Sequence, residues 1–234
     1  MVEKTTKLLI AICSCQRDKN LGCHDIVRQE WGKNVSDIAD VRFFIGGPKI
    51  ETLEDEVWID CPDDYENLTL KTRQILLWML TNGYDYLFKC DNDTRLFLKE
   101  FRQYDYKAFD YSGIFFDYGK PELMYASGNG YFLSRKACEI ASRFEDLLKP
   151  GAEDVTVGKA LQSSIMKGEI TAHHISDRRA WTGDKGAGEI HKMVPEHVLI
   201  QFCTNGWING KPRRVSIDAA KRLVSLGLAM QIKE

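Results

Sequence analysis

Leu8 to Cys13 (LLIAIC) runs apolar without a break between polar flanks. A strand with one wet face alternates apolar and polar residues, so an unbroken run predicts a strand covered on both faces. Such strands belong to α/β architectures, in which helices pack on each side of a sheet. Val41 to Ile45 (VRFFI) is a second run of this kind, stopped by Gly46-Gly47-Pro48. Val57 to Ile59 is a short third and Tyr86 to Cys90 (YLFKC) a fourth. Helical segments fall between them. Asp25 to Trp31 ends at Gly32, and Leu68 to Leu80 carries apolar residues at helical spacing up to Asn82-Gly83. The expected fold is α/β, with a mostly parallel, Rossmann-like sheet flanked by helices. Ligands of such sheets sit beyond the carboxyl ends of the strands. Here those ends are Cys13 to Gly22, Gly46-Gly47 and Asp91 to Asp93.

The second half is less regular. Phe109 to Phe116 and the glycine-broken Tyr125 to Leu133 read as strands, and Cys138 to Leu148 reads as a helix ending at Pro150-Gly151. Val155 to Gln162 is another helix, and His173 to Glu189 a loop. From Cys203 the composition shifts to NGWINGKPRR, followed by a short helix from Ile217 to Leu226. The expected division is one domain over residues 1–202 and a basic tail or mini-domain over 203–234.

Composition excludes several classes. With 28% charged and 11% aromatic residues the chain is neither disordered nor of low complexity. Its apolar runs fall far short of the roughly 20 residues of a membrane span, so a soluble, cytoplasmic protein without membrane contact is expected. Seven scattered cysteines, an odd number, point to a reducing compartment rather than a disulfide framework. Cys13-Ser14-Cys15 with Cys23-His24 lacks the spacing of a zinc site, and strand packing is the better reading. The net charge of −2 hides an asymmetry: residues 1–154 carry 20 basic and 27 acidic side chains, residues 155–234 carry 12 and 7.

Three constellations carry chemistry. Asp91-Asn92-Asp93 follows an apolar strand, and two carboxylates two residues apart share one side of an extended chain. They repel unless a divalent cation or another positive group neutralises them, and oxygen ligands suit Mg2+ or Mn2+. Glu153-Asp154 opens a helix, where a carboxylate is either a cap or a general base aimed at a hydroxyl. Tyr125 to Tyr131 (YASGNGY) lets a ligand or another backbone approach closely at its glycines. Lys71, on the helix after Asp63-Asp64, is placed either to reach a phosphate or to sit in solvent. Of the five histidines, His173 and His174 are adjacent and so point apart on a strand.

The order of these features resembles the β-1,3-glycosyltransferases, the galactosyl-, N-acetylglucosaminyl- and Fringe-like group. Arg28-Gln-Glu-Trp-Gly32 resembles that family's R-x-T-W-G, and Val41 to Gly46 its V-x-x-F-L-L-G strand. Asp63 to Thr72 (DDYENLTLKT) is similar to D-x-Y-x-N-L-T-L-K-T, and Phe88 to Asp93 to K-T-D-D-D. Tyr125 to Tyr131 is similar to Y-x-S-G-G-G-Y, Glu153 to Gly158 to E-D-V-Y-V-G, and Ile190 to Glu196 to V-H-x-x-x-P-E.

The resemblance implies a GT-A fold, a divalent cation (Mn2+ or Mg2+), a UDP-sugar donor and inverting transfer to an acceptor hydroxyl. It puts the metal on Asp93 with Asp91 and His191, and the general base on Asp154. Arg28, Asn67, Lys71 and Thr72 fall on donor-side positions, as do Asp91, Asn92, Gly128 and Asn129. Asn92 and Asn129 depart from the family pattern, and Asn129 would change what lies against the donor sugar. Sequons stand at Asn34, Asn67 and Asn92; glycans on the last two would obstruct the expected site, which argues against a secretory location. The acceptor hydroxyl belongs to a glycan, a protein or, for a cytosolic enzyme with a basic second part, a modified base of phage or viral DNA. The reading from another class is an inactive sugar- or nucleotide-binding module.

Overall fold

The computed structural model describes residues 6–116 and 124–175, and the backbone of four strands at 181–182, 197–202, 212–216 and 229–231. Four strands alternate with helices in the first half. They are β1 (Leu8–Cys13), β2 (Asp40–Ile45), β3 (Glu56–Trp58) and β4 (Tyr86–Asp91). Helices α1 (Gln16–Asn20), α2 (Cys23–Glu30) and α3 (Leu68–Thr81) lie between them. β5 (Arg95–Leu96) and α4 (Leu98–Gln103) then lead to β6 (Tyr111–Phe116) and β7 (Tyr125–Ser134). After these come α5 (Arg135–Ser142), α6 (Glu153–Met166) and β8 (Ala172–His174).

The seven-stranded sheet has the order β3-β2-β1-β4-β7-β6-β8. Its first four strands are mutually parallel, β6 and β8 pair in parallel, and β7 runs antiparallel between β4 and β6. The expected mostly parallel sheet flanked by helices is present, with one reversed strand in it.

The unbroken run at the start is explained by two cores. Leu9, Ala11 and Cys13 face Ile75, Leu76 and Met79 of α3 on one side of the sheet. Leu8, Ile10 and Ile12 face Val27, Trp31, Phe101 and Phe132 on the other. A one-residue slip of β1 would exchange the two sets, so its register is strongly specified.

Several boundaries differ from expectation. The segment after β1, expected only as the ligand-side end of that strand, contains the short helix α1. α5 starts at Arg135, where Ser134 Oγ accepts from Ala137 N at the helix start, and stops at Ser142. A 3-10 turn at Glu145–Leu148 follows, so the expected single helix is broken. His173 and His174 lie in β8 rather than in a loop. Asp91 is the last residue of β4, whereas Asn92 and Asp93 form a turn closed by Thr94 N donating to Asp91 O at 3.1 Å. The extended-chain argument for a shared side therefore does not apply to Asp91 and Asp93.

β9 (Trp181–Thr182) pairs with β5. β10 (His197–Phe202) pairs antiparallel with both β11 (Pro212–Ser216) and β12 (Ala229–Gln231). The expected boundary at 203 falls between β10 and β11. The expected helix at 217–226 lies outside the described residues. No helix among them is long and apolar enough to cross a membrane.

α6 rests directly on β7. A Cβ at Gly158 would stand 2.5 Å from Tyr125 Cβ and 2.7 Å from Met124 O. Gly158→Ala should therefore push the helix off the strand and lower stability by about 1–3 kcal/mol, measured by urea unfolding.

Candidate functional site

Beneath the carboxyl end of β4 lies a buried ion pair, the floor of the candidate site. Lys89 interrupts an apolar strand, and its Nζ donates to Glu153 Oε1 at 2.5 Å, Asp91 Oδ1 at 3.0 Å and Gly128 O at 3.3 Å. Glu153 Oε2 accepts from Tyr131 OH at 2.9 Å and Thr72 Oγ1 at 3.3 Å. Burial opposes the charge on Lys89, but Asp91 and Glu153 more than offset it and hold the ammonium protonated. Burial pushes the Glu153 carboxyl up, against the pull of Lys89. Thr72, expected on the donor side, is fully buried and serves this pair.

The acidic turn stands on that floor. Burial first, with Asp93 and Glu153 adding to it against Lys89, pushes the Asp91 carboxyl up to about 6. Two carboxylates, Asp91 and Glu153, share the Lys89 ammonium, and Asp93 adds its field at Asp91. Asn92 Nδ2 donates to Asp18 Oδ2 at 2.6 Å and to Ser14 Oγ at 3.4 Å. Asp18 thereby joins the turn, a residue the sequence reading passed over because α1 was not expected.

Asp154 lies at the start of α6. Its Oδ2 accepts from Gly128 N at 3.2 Å and its Oδ1 from Val155 N at 2.8 Å. Gly128 thus links the two acidic groups: its carbonyl accepts from Lys89, which holds Asp91, and its N–H donates to Asp154. A Cβ there would stand 3.0 Å from Glu153 Oε1. Next to it, Asn129 Oδ1 is buried without a hydrogen-bond partner, and Asn129 O accepts from Thr94 Oγ1 at 2.6 Å.

The expected donor-side residues divide here. Lys71 is buried, neither solvated nor open to a phosphate: its Nζ donates to Ser14 O at 2.6 Å and pairs with Asp63. Asp63 also accepts from Gln16 N at 2.6 Å and Gly46 N at 2.9 Å, tying together the ends of β1, β2 and the first turn of α3. Asn67 donates to Asp64 at the start of α3. Arg28 does not join the acidic turn. Its guanidinium closes on Asp55, Glu56 and Asp25 at 2.7–2.9 Å. His191 lies outside the described residues. The signal for the floor was present in the sequence, since a lysine inside an apolar strand must be paired if buried.

Oxygen donors on Asp91 and Asp93 suit a hard divalent cation, which would offset the repulsion that Asp93 and Glu153 exert on Asp91. Among the described residues no set of three or more His, Cys, Asp or Glu side chains converges on a metal position.

No protein-family model matches the chain. No curated protein matches it. Among solved structures it is similar to A197 from STIV, with a TM-score of 0.38 and 13% identity over 74% of this chain and 82% of that one. A likeness at that level bears on neither fold nor activity.

Two outcomes follow from the floor. Lys89→Met leaves Glu153 buried without a cation and should cost about 3–5 kcal/mol in urea unfolding, most of it recovered in Lys89→Met/Glu153→Leu. Ionising Asp91 opposes folding, because its folded value near 6 exceeds the usual 3.8. Stability in the absence of metal therefore falls as pH rises between those values and is level above them. Asp91→Asn should be more stable than the parent at pH 7 and equal to it below about pH 4. Its side chain keeps 39% of its surface in water, which screens the gain to about 1 kcal/mol at most.

Proposed function

We propose that the chain is an inverting, metal-dependent glycosyltransferase of GT-A fold, moving a sugar from a UDP-sugar to an acceptor hydroxyl. One observation carries the reading. An acidic turn at the carboxyl end of β4 and the Asp154 carboxylate at the start of α6 are joined through Lys89 and Gly128. This is the end of the sheet at which α/β proteins bind ligands. The ordered resemblance to the β-1,3-glycosyltransferases supports it.

Asp91 and Asp93 would hold the cation together with His191. His191 enters here from the resemblance alone. A bound divalent cation supplies the positive charge that stabilises a departing diphosphate. Glu153 is spent on Lys89, Tyr131 and Thr72, which leaves Asp154 as the base. Asp154 takes the proton of the acceptor hydroxyl as its oxygen attacks the anomeric carbon from the face opposite the diphosphate. No enzyme nucleophile is required. The orphaned Asn129 Oδ1 offers an acceptor to a sugar hydroxyl. Lys71 and Arg28 contribute by fixing the elements around the site. The acceptor class is a glycan, a protein or a hydroxylated DNA base, and the last would show affinity that falls steeply with salt.

The second reading is a sugar- or nucleotide-binding module without turnover, favoured by the absence of a three-ligand set among the described residues. A UDP-release assay with Mn2+ and a panel of UDP-sugars separates the two. Turnover abolished by EDTA supports the transferase. No release from any donor, and no Mn2+-dependent UDP binding, supports the module. Asp154→Asn should lower transfer at least about 100-fold while leaving UDP affinity within about twofold. Retention of most activity would overturn Asp154 as base.

A further inference from the structure

Behind the acidic turn lies a chain of buried polar groups that the proposed reaction does not use. His24 Nδ1 is 2.9 Å from Glu56 Oε1, and His24 Nε2 is 2.7 Å from Ser14 Oγ. Ser14 Oγ in turn meets Asn92 Nδ2. Ser14, His24 and Glu56 are all buried. The spacing is that of a serine–histidine–carboxylate triad, but the surroundings decide against nucleophilic use. Glu56 Oε1 also accepts from Arg28 Nη2 at 2.9 Å, and Oε2 accepts from Lys19 Nζ at 2.6 Å and Leu53 N at 3.0 Å. The carboxylate is already saturated with cations and has little charge left to stabilise an imidazolium. The His24 ring is stacked on Phe43 with centroids 4.1 Å apart.

The same saturation fixes the direction of every bond. Burial pushes against ionisation of Glu56, but hydrogen bonds from Lys19, Leu53 N, His24 and Arg28 hold its carboxyl down at about 2. It is therefore an acceptor only, and His24 Nδ1–H donates to it. Burial lowers the His24 value, so the ring is neutral and Nε2 accepts the Ser14 proton. Ser14 Oγ is left with lone pairs alone toward the turn, where the residue at 92 must supply a proton. Asp18, the other partner, is a carboxylate and also needs one.

We propose that Ser14 and His24 are positioning residues for the acidic turn, holding it through the side-chain amide of Asn92, and that this is why an amide stands between Asp91 and Asp93. An aspartate at 92 has no proton for Ser14 or Asp18 and would add a charge beside Asp18. The consequence for cation binding rests on the proposed function, in which the turn holds the metal.

The test is the Mn2+ affinity of the full chain, with thermal unfolding as the check on folding. Charge addition alone would make Asn92→Asp bind Mn2+ more tightly. The relay makes it bind about tenfold more weakly. Asp18→Asn/Asn92→Asp restores the bond between 18 and 92 but leaves Ser14 Oγ without a proton from 92, so it should recover only part of that loss. Full recovery counts against the Ser14 contact. Ser14→Ala, a small change, should weaken binding severalfold. A second readout needs no ligand: the Asn92 side-chain amide resonances, shifted and slowly exchanging in the parent, should move toward free-amide values in Ser14→Ala. Tighter or unchanged Mn2+ binding by Asn92→Asp, or Asn92 amide resonances unmoved by Ser14→Ala, overturns the relay. If the parent protein binds no Mn2+, the metal reading falls and the amide resonances alone decide the relay.

Discussion

The buried pair of Lys89 and Glu153 holds the second half of the sheet to the first. It reaches from β4 to the start of α6, and through Tyr131 and Thr72 it includes β7 and α3. A charge taken out of water is tolerated only where its hydrogen-bonding capacity is met, and here both partners are met several times over. The pair therefore specifies more than it stabilises. β7 must run antiparallel beside β4 so that the Gly128 carbonyl faces the ammonium, and α6 must begin where Glu153 reaches it. Asp154 inherits its place from that requirement.

The catalytic reading depends on this division between neighbours. Glu153 and Asp154 are adjacent and of the same type, yet one closes an internal ion pair and the other stands at a helix start with only backbone donors. Asp91 lies between the two cases. One of its oxygens meets Lys89, while Asp93 and Glu153 raise the cost of its charge. Groups in that condition favour a ligand that brings positive charge.

Much of the fold was legible because burial leaves a strong trace in a sequence. The run at Leu8 to Cys13 could only be a strand with a core on each face, and Leu68 to Leu80 could only be a long helix. The reversal of β7 left no trace, since apolar periodicity marks a strand without its direction. α1 was invisible because its five residues, QRDKN, carry no apolar stripe. The acidic turn and Asp154 were marked by local pattern and by the resemblance. The fates of Arg28 and Lys71 were not, because they are decided by Asp55, Glu56 and Asp63, which no local pattern joins to them. Lys89 was the missed clue: an ammonium within a buried strand demands a partner, and that partner was half of the Glu153-Asp154 pair.

Asp63 stiffens the sheet at the place where its strands end. With a single carboxylate gathering Gln16, Gly46 and Lys71, the ends of two strands and a helix are latched into one piece. That piece cannot yield to a ligand at one point without unfastening three.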